Sequence, residues 1–364
     1  MKELDSARKY TDKELAKVEK QIDRIYRKSA KGIYADYQKF MERAQKRIQT
    51  QENALVAAVK TNDAKLIAEA EKSLQDAKFA VTLHDGRYRE MLDTTAKRIA
   101  EVNQIAIDYA NDKIPNIYAV NYNQMDEVIK GITLVGGEQL TMRVAFSLVD
   151  EHTLKVLAQE GRVRLPVSKR LSVPKDMRWN MKKINSALTQ GILQGESMPK
   201  IAKRIFPEIQ SKTIWKNHKE PMNSVIRQNK QSAIRTARTL FTQAENMGRQ
   251  DSYVNAESMG IVMGKQWIST GDERTRDWHL SMDGQEVPID ETFTDGLGNQ
   301  LEEPADPSAP PETTYNCRCS MRSIVYGFRA KDGSVVDVEY DRSLDPESNH
   351  QRSIRQERER RLKE

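Results

Sequence analysis

Cysteine is almost absent from this chain, and where it occurs it is concentrated. Two cysteines stand among 364 residues, both within Asn316-Cys317-Arg318-Cys319. Two thiols cannot build a disulfide framework, and a bridge across one intervening residue would be badly strained. Reduced thiols in a cytosolic setting are the expectation. Long apolar runs are missing too, and nothing approaches the ~20 residues that cross a bilayer. The start, Met1-Lys-Glu-Leu-Asp5, has no apolar signal core. Synthesis in the cytoplasm without membrane insertion is therefore expected, with any exit by another route. Chemical signatures are equally scarce. There is no Walker loop, no His-Glu-x-x-His and no Gly-rich nucleotide turn, and neither Ser269 nor Ser281 sits in a nucleophile elbow.

What is present is charge. Charged residues make up 31% and hydrophobic residues 38%, which points to solvated helices rather than one deep globule. The length allows two or three domains with ample core. A net charge of +6 favours acidic partners only weakly against 53 acidic residues. The basic residues are unevenly placed, crowding into 180–250. There Lys182, Lys183, Lys203, Arg204, Arg227, Lys230, Arg235 and Arg238 are candidate contacts for DNA phosphates. A basic solvated face, or one that meets an acidic neighbour, explains the same residues, and no recognition-helix signature decides between them. Any DNA contact would be independent of sequence and weakened by salt.

Periodicity divides the chain into blocks. Over 10–48, Leu15, Val18, Ile22, Ile25, Ile33, Tyr37, Phe40, Ala44 and Ile48 recur mostly three or four apart, an amphipathic helical stripe. Thr61-Asn62-Asp63 reads as a turn with an N-cap for a second helix, and a third runs from about 88 to 109, stopping before Pro115. Residues 1–115 thus form a helical arm, a hairpin or bundle. Residues 116–260 form a basic helical middle domain, with proline-punctuated extended chain around 163–174 and a helix capped by Ser197. Residues 261–344 form a small module closed by a hairpin around Lys331-Asp332-Gly333. Residues 345–364 are a charged tail, expected to be disordered or folded only on a partner. The fold class is mainly α with a small C-terminal α+β module and long N-terminal amphipathic helices.

The chemistry concentrates in 265–321. Between Arg276 and Arg318 there is no Lys or Arg, while carboxylates accumulate. Cys317 and Cys319 as thiolates and a ring nitrogen of His279 would give zinc three ligands, with Asp272, Asp277, Asp283 or water as the fourth. The other reading makes these residues buried packing groups. Asp272 is expected to cap a helix carrying Arg276 and His279, with the arginines pairing to loop carboxylates. An enzyme would use His279 as general base, oriented by Asp272 or Asp283, but no nucleophile is signalled. The structural role is favoured. A Pro-, Asp- and Gly-rich surface loop is expected over 288–311.

In order, Trp267, Asp272-x-Arg274-Thr275-Arg276-x-x-His279, Asp283-Gly284-Gln285 and Asn316-Cys317-Arg318-Cys319 resemble the phage Mu F-like head morphogenesis family. These are minor capsid proteins of tailed phages. The likeness extends loosely upstream to about residue 120. It implies structural parts for Trp267, Asp272, Arg274, Thr275, Arg276, Gly284, Asn316 and Arg318. Many relatives carry Cys-Pro-x-Cys where this chain has Arg276-Asp-Trp-His279, and His-Pro-x-Cys-Arg-Cys where it has Thr314-Tyr-Asn-Cys317-Arg-Cys319. That richer form looks like a full zinc clip, so the departures at Arg276 and Thr314 put the metal in question. The resemblance implies a non-enzymatic protein in the virion interior, docking to the portal protein and to scaffold or major capsid protein, and assisting DNA packaging or ejection. Two alternatives remain: a non-specific DNA-binding protein released with the genome, and a particle-delivered enzyme or toxin, since related modules occur fused to toxin domains. The few polar residues after 345 supply no such domain.

Overall fold

A computed structural model of the chain describes residues 6–79, 86–134, 148–154, 173–193 and 225–339. It is helical through its N-terminal part and β-rich in a small C-terminal region. Helix α1 is Ser6–Thr61, α2 Ala64–Phe79, α3 Gly86–Asn111 and α4 Ile114–Lys130. Strand β1 is Thr133–Leu134, followed by α5 Val173–Leu193 and α6 Val225–Ser258. The C-terminal region holds β2 Ile261–Ile268, α7 Asp277–Leu280, β3 Glu286–Pro288, β4 Phe293–Thr294 and β5 Gln300–Leu301. It ends with α8 Pro311–Thr314, β6 Ser320–Arg329 and β7 Val335–Glu339.

Local chemistry sets the helix ends. α1 stops where Asn62 takes the left-handed conformation, φ 56°. Asp63 then caps α2, its Oδ1 accepting the N–H groups of Lys65 at 2.9 Å and Leu66 at 3.3 Å. α3 ends at Asn111, before Pro115 as expected, and Pro115 itself sits in the first turn of α4, where a missing N–H costs nothing. The chain at 163–172, the helix expected from Ser197 and the tail 345–364 lie outside the described residues.

Packing divides the chain into two compact units, each drawn from separate stretches. One comprises Met1–Glu19, Tyr109–Lys169 and Ile234–Glu364; the other comprises Lys20–Asp108 and Arg170–Ala233. This partition differs from the sequential blocks 1–115, 116–260 and 261–344. The reason is that α1 and α6 each run on past one core and supply residues to a second.

In the unit containing Lys20–Asp108, the stripe Ile22, Tyr26, Ala30 and Ile33 of α1 is at most 4% exposed, and Ile99, Ile107 and Ile184 are equally buried. Buried amides tie the helices together. Tyr26 donates to Asn103 Oδ1 at 2.8 Å, Asn180 to the Ala96 carbonyl at 3.3 Å, and Asn229 to Asn180 Oδ1 at 2.8 Å.

In the other unit five strands form an antiparallel sheet in the order β1-β7-β6-β2-β3, and β4 and β5 pair separately. β2 pairs with β6 from Ile261↔Phe328 to Ile268↔Ser320. The β6–β7 hairpin turns at Gly333, φ 85°, with Asp332 Oδ1 accepting the Ser334 N–H at 3.0 Å. β2 carries no alternation that would betray it, because it is buried almost continuously. Trp267, Phe293, Met321, Tyr253, Met125 and Ile129 belong to one core under this sheet. α4 and α6 approach closely at Gly248, where a Cβ would lie 2.6 Å from the Tyr118 carbonyl oxygen.

Candidate metal centre

The pairing of β2 with β6 sets Trp267 opposite Met321, so the chain leaving β2 and the chain entering β6 emerge side by side. From the first hangs α7 with His279; from the second, Cys317 and Cys319. The His279 Nδ1 lies 3.6 Å from Cys317 Sγ and 3.5 Å from Cys319 Sγ. The three side chains are buried, at 2%, 2% and 3% exposure. Tetrahedral zinc, bonded at about 2.3 Å to sulfur and about 2.0–2.1 Å to nitrogen, sets those ligand atoms about 3.5 Å apart. The spacing therefore suits the ion. It also suits thiols donating to the ring nitrogen, since sulfur hydrogen bonds reach the same length. This cluster can chelate a metal ion such as zinc. No fourth His, Cys, Asp or Glu among the described residues joins it.

Packing fixes the imidazole. His279 stands edge-on between Trp267, at 5.8 Å and 84°, and Trp278, at 6.4 Å and 80°. Among the described residues its Nε2 finds no hydrogen-bond partner, while Nδ1 faces both sulfurs. The thiols influence one another. The hydrogen bond from Cys319 holds Cys317 below the ordinary thiol range, while the contact with Cys317 together with burial pushes Cys319 well above it.

The Cys-x-Cys backbone is carried by one face of α6, which the sequence reading missed. Thr242 donates to the Cys317 carbonyl at 2.8 Å and Asn246 to that of Cys319 at 3.2 Å. Arg249 Nη1 reaches the Met321 carbonyl at 3.0 Å, and the Asn316 N–H donates to Thr239 Oγ1 at 2.8 Å. Residues 239, 242, 246 and 249 recur at helical spacing, and every residue from 241 to 250 is buried. Polar residues inside a helix buried all round must find partners, and these find the backbone of the chain that leads into β6. That stripe of Thr, Asn and Arg was the available signal.

The other motif residues divide into braces and turns. Asp272 does not join the cluster; its carboxylate forms a two-pronged pair with the Arg318 guanidinium, both distances 2.5 Å. Arg318, aided by the Arg274 N–H and the Thr275 hydroxyl, holds that carboxyl well below the usual range. Nor does Asp272 cap α7, whose N-cap is Arg276 without a side-chain bond. It caps the preceding turn instead, taking the Arg274 N–H at 3.1 Å. Arg274 itself is 75% exposed and 3.7 Å from Asp272, a weak contact. Arg276 donates to the Tyr315 carbonyl at 2.6 Å and so ties α7 to the cysteine segment. Thr314 is buried, its hydroxyl 2.9 Å from the Asp306 carbonyl, where it anchors the loop. Asp283 Oδ1 accepts the Ser269 N–H at 2.7 Å, and Asp277 is exposed. Gly284 and Asn316 occupy left-handed backbone at φ 81° and 57°, conformations that suit those two residue types.

The basic candidates separate likewise. Lys182, Lys183 and Arg235 are exposed, and Arg227 is half-buried. Lys230 is a correction: it is 6% exposed and pairs with Asp23 at 3.0 Å, so burial withdraws it from any DNA surface. Arg238 pairs with Glu19 at 2.6 Å. Lys203 and Arg204 lie outside the described residues.

Comparison with known proteins adds to this geometry. Residues 182–322 match the family described as phage Mu protein F like protein. Across 349 residues the chain is 24% identical to the minor head protein GP7 of Bacillus phage SPP1, covering 93% of each. Both matches point to phage head proteins. A further match, 24% identical over 269 residues, is to the NAD(+)--arginine ADP-ribosyltransferase EFV of Enterococcus faecalis (strain ATCC 700802 / V583). It covers 71% of this chain but spans only 50% of that enzyme's length. No solved structure matches the chain. Among the described residues, no helix is long and apolar enough to cross a membrane.

Proposed function

We propose that this chain is a minor head protein of a tailed phage, docking at the portal region during procapsid assembly and assisting DNA packaging or ejection. The observation that carries the reading is the end-to-end similarity to a minor head protein, 93% of both chains. Its partners are the portal protein and scaffold or major capsid protein, and its place is the virion interior after synthesis in the bacterial cytoplasm. The buried cluster supports a structural role rather than catalysis. His279 Nδ1 and the two sulfurs would hold zinc, and the ion would cross-link α7 to the entry of β6. Lys182, Lys183 and Arg235 offer exposed charge to DNA without reading its sequence.

Co-expression of the full chain with its phage's portal protein, followed by size exclusion and electron microscopy, tests the reading. Added density on the portal ring is expected; a bare ring overturns the docking. Deleting 1–115 is unsuitable as a control, because Met1–Glu19 and Tyr109–Lys169 fall in the same unit as the metal cluster. A second reading, an enzyme carried in the particle, has the transferase similarity in its favour. Transfer of labelled ADP-ribose from NAD to arginine by the purified chain would establish it.

A further inference from the structure

In the unit containing Lys20–Asp108, α1 changes character after Ile33. Up to that residue its apolar stripe is covered, with Ile22, Tyr26, Ala30 and Ile33 at most 4% exposed. The stripe continues through Phe40, Ala44 and Ile48, but these are only half-buried. Beside them lies a groove of about 720 Å³ between α1, the end of α2 and α3. Ile33, Phe40, Ala44, Ala77 and Met91 give it apolar lining. Along α1, Lys39, Arg43 and Arg47 also line it at successive four-residue steps, and all three are exposed. From α3 come Glu90, Thr94, Thr95 and Arg98, the last paired with Asp36 of α1.

We propose that this groove docks an acidic amphipathic helix of a partner protein. Lys39, Arg43 and Arg47 make this edge of the groove basic, and an acidic face laid beside it is complementary in charge. The apolar lining then takes the partner's i, i+3, i+4 and i+7 side chains, as grooves that receive helices do. Duplex DNA would satisfy the basic row but offers nothing to Phe40 and Met91, which is why a helix is favoured. The proposal stands independently of the portal reading, since it rests on the groove alone.

The probe is a fluorescent helix-forming peptide of roughly fifteen residues, with leucines along one face and glutamates flanking them. A second peptide keeps the leucines and carries lysines in place of the glutamates. Anisotropy with the full-length protein should show the acidic peptide binding at least about tenfold more tightly, an advantage that shrinks as salt rises. The double substitution Arg43→Glu/Arg47→Glu should reverse the preference, with circular dichroism confirming an intact helical fold. Equal binding of the two peptides, or acidic-peptide affinity unchanged in the charge-reversed variant, overturns the proposal. So does a short DNA duplex that displaces the acidic peptide and binds more tightly than it, which would make the row a phosphate surface.

Discussion

Replacing Thr242 with valine removes one hydroxyl from the face of α6 that carries the cysteines while nearly preserving shape. That hydroxyl lies 2.8 Å from the Cys317 carbonyl and 3.0 Å from the Arg238 carbonyl. The Arg238 carbonyl belongs to the helix ladder and keeps its backbone partner, so the Cys317 carbonyl is the group left wanting. A buried acceptor stripped of its donor costs about 1–3 kcal/mol. If that cost falls on local opening of the cysteine segment, both thiols should become accessible roughly five- to 150-fold more often. The assay is the rate at which a thiol reagent labels Cys317 and Cys319 in native protein held in chelator, so that no metal shields the sulfurs. The control is Thr50→Val, whose exposed hydroxyl bonds the Lys46 carbonyl of its own helix, at 2.9 Å. Labelling of Thr242→Val at the wild-type rate, or equal acceleration in Thr50→Val, would refute the idea that α6 holds the cysteines in place.

Purified protein, dialysed without chelator, should retain about one equivalent of zinc, and Cys317→Ser should lose it; metal analysis giving under about a tenth of an equivalent in the wild type removes the ion from the account. Trp267→Ala, at a residue fully buried against Phe293 and His279, should destabilise its unit by about 3–5 kcal/mol, read as the loss of its unfolding transition on calorimetry. Asp272→Asn should cost about 0.5–1 kcal/mol at neutral pH, because a pair with 36% and 27% exposed side chains is screened by solvent. The folded carboxyl is depressed, so its contribution is present above its unfolded value near ~3.9 and is lost as pH falls through the folded value. Denaturant titrations should show the difference between variant and wild type narrowing only below about pH 4; a gap that persists at low pH contradicts the Arg318 pairing as its source.

How much of this was legible follows from the range of each interaction. The Thr61-Asn62-Asp63 turn and the Lys331-Asp332-Gly333 hairpin were readable because their chemistry spans a few residues. β2 was not readable, because it is buried on both faces and shows no alternation. Asp272 was misplaced for a related reason. Its neighbours suggested a helix cap or metal ligand, but its strongest partner, Arg318, lies 46 residues away.

By itself the sequence determined that the chemistry would gather in 265–321, that the thiols would be unbridged, and that helices would dominate the N-terminal part. Each of those rests on composition or short-range periodicity. Only the tertiary structure decided that His279 Nδ1 would stand 3.6 and 3.5 Å from the two sulfurs. It alone turned Lys230 inward to Asp23 and laid Thr242 and Asn246 under the cysteine carbonyls. Those contacts depend on strand register and on which face of α6 is buried, and both are set by packing between segments far apart in the chain.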